Sequence, residues 1–484
     1  MTEGATNGPV DDEGGVTFGQ ALTPVAFLLA VIAYGLVARP LFLGQPAFPL
    51  ELVFVIAAAF AVAHLRFLGH SWAEIQDSVV TRLSTAMPAL FILFAIGLLI
   101  ASWMVSGTIP MLVYYGIAVI QPGILYPLAF LVPVVFSTLT GTSWGSAGTI
   151  GVVIMGIGLA SGANPAILAG AIIGGAYFGD KLSPLSDTTN LAALAAEVNL
   201  FEHIRSMMWT TAPSAIIALV LYVIVGLVDP PGSGASTADA AAFTAALNEM
   251  FHFSLLLLLP PALVLWGSLK KYPTIPVLIG SVLLAGLLAA VVQPFTLADI
   301  LSAIHTGFQS DMATWVADVP DGVRTLVERG GLYSMREAIF TAFLVFFFIG
   351  AIDRIDAMPI VVNRVFRFAR SRAATILSAL GATAVTNAMT SNQYATSFIV
   401  GDAFRKRFDA LAIPRKVLSR SLEDTGTMLE SLVPWHATAL FMVATLGVPT
   451  ADYWHWQFLS LVNFVVAPLL AITGIGCFYR DSDA

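Results

Sequence analysis

Stretches of roughly 17 to 25 apolar residues, each able to cross about 30 Å of hydrocarbon as a helix, recur along this chain from its first fifth to its last. No water-soluble core uses so many of them, and in lipid the backbone must satisfy its own polar groups, which helices do. The chain has 484 residues, of which 57% are apolar and only 11% charged, against about 25% charged in a soluble domain. The sequence therefore predicts an all-α polytopic membrane protein with no sizeable soluble domain between its spans. Residues 1–20 are polar and acidic without a basic n-region, so the first apolar run, 21–38, reads as a retained span rather than a signal peptide. The single cysteine, Cys477, excludes an internal disulfide framework and a multi-cysteine metal site. A net charge of −8 gives no reason to expect nucleic acid as a partner.

The two halves carry a repeat in position more than in identity. Pro110 and Pro359 are 359 − 110 = 249 residues apart, as are Pro165 and Pro414 (414 − 165 = 249). The same shift lays the polar stretch "STLTGTSWGSAGT" (137–149) on "TNAMTSNQYAT" (386–396), and, with a slip of one or two residues, "GDKLSPLSD" on "GTMLESLVPWH" (426–436). Repeated apolar segments with Gly- and Pro-containing interruptions point to a transporter binding site near the bilayer midplane.

Loop charge sets the sidedness. Arg364, Arg367, Arg370 and Arg372 cluster in 363–372, and Arg405, Lys406, Arg407, Arg415 and Lys416 in 405–416, whereas the counterparts 114–123 and 156–167 carry no charge. Basic loops stay cytoplasmic, so the two repeats should be inverted. Each should contain about five transmembrane spans, one of them a broken helix, plus a re-entrant hairpin. The first repeat, 21–228, has spans near 21–38, 47–65, 86–104 and 209–228, a hairpin at 124–161 and a broken helix at 165–198. The second, 251–477, has spans near 251–268, 273–292, 336–353 and 455–477, a hairpin at 373–404 and a broken helix at 416–447. Residues 229–250 become an external connector, 311–335 an external loop, and the tails 1–20 and 478–484 lie in the cytoplasm.

The interruptions carry the chemistry. In "GAYFGDKLSPLSDTTNLA" (175–192), Asp180, Ser183 and Asp187 are spaced i, i+3, i+7, Pro184 favours a break, and Thr188, Thr189 and Asn190 open the next half-helix. Carboxylates, hydroxyls and freed carbonyls are hard ligands suited to an alkali cation, and a carboxylate is also a proton site. Asp187 could instead only cap that half-helix, and Asp180 only pair with Lys181. In "LEDTGTMLESLVPWHAT" (422–438), Glu423, Thr427 and Glu430 are spaced i, i+4, i+7, with Asp424 beside them, Pro434 as the break and His436 as a further proton site or a packing residue. Carboxylates at membrane depth cost on the order of 2.5 to 3.5 kcal/mol each, so several together need protons or cations. Asp353, Asp356 and Asp402 sit among arginines and read as interfacial ion pairs.

"GTSWGSAGTIG" (141–151), "GAYFGDKLSPLSDTTNLA" and "LSRSLEDTGT" (418–427) followed by Pro434-Trp435 resemble the NhaC family of Na⁺/H⁺ antiporters, within the ion transporter superfamily. The resemblance spans roughly 80–475. It implies a secondary active transporter of the cytoplasmic membrane that exchanges Na⁺ for H⁺, not an enzyme, without cofactor and with oligomeric state open. By motif match it implies function at Thr142, Ser143, Asp180, Ser183, Asp187, Thr188, Thr189, Asn190, Glu423 and Asp424. The Na⁺ candidates are then Asp180, Asp187, Glu423, Asp424 and Glu430. The chain departs from the family pattern where it has Glu430-Ser431 and His436, and at Asn392, before Gln393-Tyr394, where an acid is common. One carboxylate would then have moved from hairpin tip to broken helix. The family also includes exchangers that couple Na⁺ and H⁺ to malate and lactate; Lys181, Asn392, Gln393 and His436 are the groups available to an organic anion. An intramembrane aspartyl protease, suggested by "YFGD" (177–180), is the alternative from another class, but it gives no reason for the duplication.

Overall fold

The computed structural model describes residues 16–232, 237–366 and 370–479. Most of the N-terminal tail, Arg367, the Gly/Ser-containing part of the connector at 233–236 and the C-terminal 480–484 lie outside the described residues. Among the described residues all regular elements are helical. Seven helices are long and apolar enough to cross a membrane, or ten if each sharply bent pair is one span. The expected spans are present at Phe18–Phe42, Leu50–Phe67, Leu200–Val228, Thr274–Val292 and Leu332–Asp353.

Two expectations need correction. The span expected at 86–104 is Trp72–Val105, 34 residues or about 51 Å at 1.5 Å per residue. It starts at a capping box in which Ser71 and Glu74 bond each other's backbone N–H. That box begins the helix 86 − 72 = 14 residues before the apolar run, because Arg82 in the polar first part is held by the Thr390 carbonyl and Asp353. The acidic segments 229–250 and 311–335 are not plain loops: they contain the helices Thr237–Met250 and Asp321–Val327, the former bending by 98° into Leu255–Leu269.

Both hairpins form with the same turn chemistry. Leu125–Thr140 ends at Gly141 (φ 72°) and Arg372–Thr390 at Ser391 (φ 48°), left-handed residues that stop a helix. The next residue caps the returning arm. Thr142 Oγ1 accepts from the N–H of Gly145 at 3.2 Å and Asn392 Oδ1 from that of Ala395 at 2.9 Å, opening Ser143–Ala160 and Gln393–Ala410.

The broken helices follow from their prolines. Pro165–Leu182 stops before Ser183-Pro184 and resumes as Asp187–Ala195; Arg415–Leu432 stops before Pro434 and resumes as Ala437–Leu446, bent by 47°. Glycines let the first hairpin lie directly on the first broken helix. A Cβ on Gly179 would sit 2.1 Å from Ser137 Oγ and Thr138 N, and one on Gly175 2.2 Å from the Phe130 carbonyl. That close approach is the use membrane helices make of small residues, and it brings the hairpin tip beside the break.

The ends of the broken helices are exchanged between the two halves of the chain. Ala195, closing the first, accepts from Arg405 Nη1 at 2.9 Å and lies against Gly401 in the second hairpin. Leu446, closing the second, lies against Gly151 in the first hairpin. An inverted pair would produce this exchange. Single cysteines at the matched positions Ser161 and Ala410 (410 − 161 = 249) should then react with an impermeant maleimide from opposite sides, 410 from the cytoplasm, while native Cys477 is buried and silent. Labelling of both from one side would contradict inversion.

Candidate functional site

The two hairpin tips and the two breaks face one cavity of about 730 Å³. Of the residues singled out in the sequence, Thr142, Ser143, Asp180, Asp187, Thr188, Asn190, Asn392, Gln393, Glu430 and His436 line it. Asp180 is the most tightly held: Ser143 donates to its Oδ2 at 2.5 Å and Ser186 to its Oδ1 at 2.6 Å. These two hydroxyl donors fix the orientation of the carboxylate at the cavity wall. Ser186 in turn shares a 3.0 Å bond with Thr188 Oγ1.

Asp187 lines the same wall and is exposed to it. It does not cap the half-helix, since Ser186 occupies the N-cap position and Asp187 the first turn, where the helix dipole still favours negative charge. Glu430 comes from the second broken helix. Its Oε2 accepts from Thr438 Oγ1 at 2.9 Å and from the Tyr177 hydroxyl at 3.4 Å, and it lines the same cavity as Asp180 and Asp187. Asn392 lines that cavity as well.

His436 is a cap. Its Nδ1 accepts from the N–H of Thr438 at 3.1 Å, opening Ala437–Leu446, and its Nε2 faces Asn387 Oδ1 at 3.3 Å. An accepting Nδ1 carries no proton, so the ring in this arrangement is neutral with its proton on Nε2.

The remaining candidates lie behind the wall. Ser183 Oγ donates to the Thr138 carbonyl at 2.9 Å, and Thr189 Oγ1 to the carbonyls of Asp180 and Lys181 at 2.9 and 3.0 Å. Both brace the break. Asp424 forms a buried ion pair with Lys181 and accepts from Thr210 Oγ1 at 2.7 Å; Lys181 thus pairs with Asp424, not Asp180. Glu423 is fully buried with Thr427 donating to its Oε2 at 2.6 Å. The sequence reading missed Ser186, Thr438 and the lysine at the cavity mouth, Lys271. Ser186 was findable, since a serine immediately before Asp-Thr-Thr-Asn is an N-cap signal; Thr438 and Lys271 are brought in only by tertiary packing.

Two hairpin tips facing one acid-lined cavity, each beside a broken helix, are the architecture of a secondary active transporter. A model of the Na⁺/H⁺ antiporter family matches residues 175–475, and the chain belongs to that family. It is 36% identical over 465 residues to the Na⁺/H⁺ antiporter NhaC of Alkalihalophilus pseudofirmus, covering 95% of this chain and 96% of that one. It is 33% identical over 475 residues to the arginine/ornithine antiporter ArcD of Halobacterium salinarum (98% and 95%). It is 30% identical over 435 residues to the malate-2H⁺/Na⁺-lactate antiporter of Bacillus subtilis (90% and 92%). The NhaC resemblance is borne out. The family is one of transporters, so the protease alternative falls away.

The cradle yields a contrast between neighbouring serines. Ser186→Ala removes a bond to a charged acceptor, worth about 1.5 to 3 kcal/mol, and should weaken apparent Na⁺ affinity roughly 10-fold or more at neutral pH. Ser183→Ala removes a bond between hairpin and break, and should lower the unfolding temperature in detergent while leaving half-saturating Na⁺ unchanged. Equal effects on Na⁺ affinity would contradict the division between wall and brace.

Proposed function

We propose that the protein exchanges Na⁺ for H⁺ across the cytoplasmic membrane by alternating access, with Asp180, Asp187 and Glu430 as the groups for which the two ions compete. The observation that carries this reading is the meeting of these three carboxylates in one cavity with the oxygens of Thr142, Ser143, Thr188 and Asn190, while Lys271 is the one lysine or arginine among the described residues that line it. Bound Na⁺ stabilises the ionised carboxylates; a proton removes the charge. Either ion therefore lowers the cost of keeping an acid at membrane depth, and release of one prepares the site for the other.

Asp424 takes no part in that exchange, because Lys181 already balances it. Ser183, Thr189 and Thr427 act as braces, and His436 holds the start of a half-helix. The inverted arrangement supplies the second access state: equivalent hairpins from opposite sides can open and close in turn around a fixed site. Both termini face the cytoplasm in this reading, as the basic segments 363–372 and 405–416 require.

Transport of an organic anion has less support. The fully buried Lys181 is neutralised by Asp424, which leaves Lys271 against three acids for a malate dianion. Everted vesicles containing the protein should show proton flux on addition of Na⁺, with no further flux on adding malate or lactate. Flux that requires malate or lactate would favour the organic-acid reading. Because protons and Na⁺ compete at Glu430, apparent Na⁺ affinity should fall as pH falls. Glu430→Gln should flatten that dependence or abolish exchange; an unchanged profile would remove Glu430 from the site.

A further inference from the structure

The second hairpin joins the ion cavity to another concave surface. Its returning arm, Gln393–Ala410, has 18 residues and spans about 27 Å. Gln393 at one end lines the ion cavity, whereas Ala403, Phe404, Lys406 and Arg407 near the other line a groove of about 900 Å³. The opposite side of the groove is formed by Phe18 at the start of the first span and by Pro359, Ile360, Val362, Asn363, Arg364 and Phe366. Most of these come from the short helix Ala357–Val365, which buries Ala357, Met358, Val361 and Val362 and exposes Asn363 and Arg364. Such an amphipathic segment suits the plane of the membrane interface.

The groove combines an apolar floor with two exposed basic residues, Arg364 and Lys406. Nearby basic residues are paired: Arg405 with Asp402 and Glu197, Arg415 with Asp409 and Glu197, and Arg354 with Glu74. Those pairs engage Asp402 and Asp409 of the hairpin arm and its end, together with Glu197 and Glu74. Arg364 and Lys406 are exposed and make no ion pair among the described residues. A ligand that fits must carry an anionic head for Arg364 and Lys406 and an apolar chain for Phe18, Ile360 and Phe404.

We infer that this groove is a binding site for an anionic phospholipid, seated with its phosphate between Arg364 and Lys406 and an acyl chain along the apolar floor. Basic pockets between spans at the interface hold such head groups. Two interfacial cations correspond to roughly a 30-fold preference for anionic over zwitterionic lipid. The lipid would clamp the base of the hairpin whose tip reaches the ion cavity, so anionic lipid should raise the exchange rate.

The test uses the purified full-length protein, with native mass spectrometry to compare retention of phosphatidylglycerol and phosphatidylcholine. The expected result is retention of phosphatidylglycerol roughly 30-fold stronger, reduced to near parity in Arg364→Gln/Lys406→Gln and unchanged in Arg336→Gln, a substitution of an exposed arginine outside the groove. Circular dichroism checks that the double variant is folded; if it is not, the single variants are read in the same way. Equal retention of both lipids by the native protein, or a preference that survives in the variants, would overturn the inference. Displacement of phosphatidylglycerol by inorganic phosphate at equal concentration would also overturn it, since the acyl chain would then contribute nothing. The readout is lipid retention, so it fails or succeeds separately from Na⁺/H⁺ exchange.

Discussion

The ion pair between Lys181 and Asp424 sets where the rest of the molecule can put its polar groups. Both side chains are essentially without solvent contact. A buried charge deprived of its partner costs about 3 to 5 kcal/mol, so the two must stay together. Lys181 belongs to the first broken helix and Asp424 to the second, and pairing them fixes the two interruptions side by side. Neighbours complete the arrangement: Thr210 donates to Asp424, Asn463 bonds the Asp424 carbonyl at 2.8 Å, and Arg420 Nε lies 3.7 Å from the same carboxylate. With the breaks held together, the residues that flank them on the open side become the cavity wall.

The contrast between these charges and those of the cavity explains the division of labour. Asp424 is balanced by fixed cations and is part of the frame. Asp180, one residue before Lys181, is turned to the cavity and held by two hydroxyls that bring no charge. Glu430 is likewise held by a threonine and a tyrosine. A carboxylate oriented by neutral donors keeps its geometry but still lacks a counter-charge, which only a mobile cation or a proton can provide. The site is thereby rigid in position and open in charge, as ion exchange requires. Family membership places this arrangement among antiporters. Relatives named for arginine/ornithine and malate/lactate exchange are similar to this chain over most of its length.

Much of the fold was legible because membrane helices announce themselves by length and apolarity, and because prolines and glycines mark the breaks. The hairpin at 124–161 and the break after Leu182 were readable for that reason. What the sequence could not give was which acid meets which partner. A pair between the adjacent Asp180 and Lys181 is the alternative the sequence leaves open; successive residues on a helix do not face each other, and Lys181 turns to Asp424 from 243 residues away. For Asp187 the sequence allows either an ion site or a helix cap, and the structure puts Ser186 in the N-cap position. The early start of Trp72–Val105 was hidden because its first part is polar and is stabilised by a capping box and by contacts with Asp353 and Thr390.

Competition of Na⁺ and H⁺ for one set of carboxylates can be observed without transport. Na⁺ titrated into the purified protein in weakly buffered detergent solution, with a pH indicator present, should release protons as it binds. The amplitude should shrink as the starting pH is raised and the carboxylates are already ionised, while Na⁺ binding measured with the radioactive ion becomes tighter. Saturable Na⁺ binding with no proton release at any starting pH would contradict the account, because the two ions would then occupy independent sites.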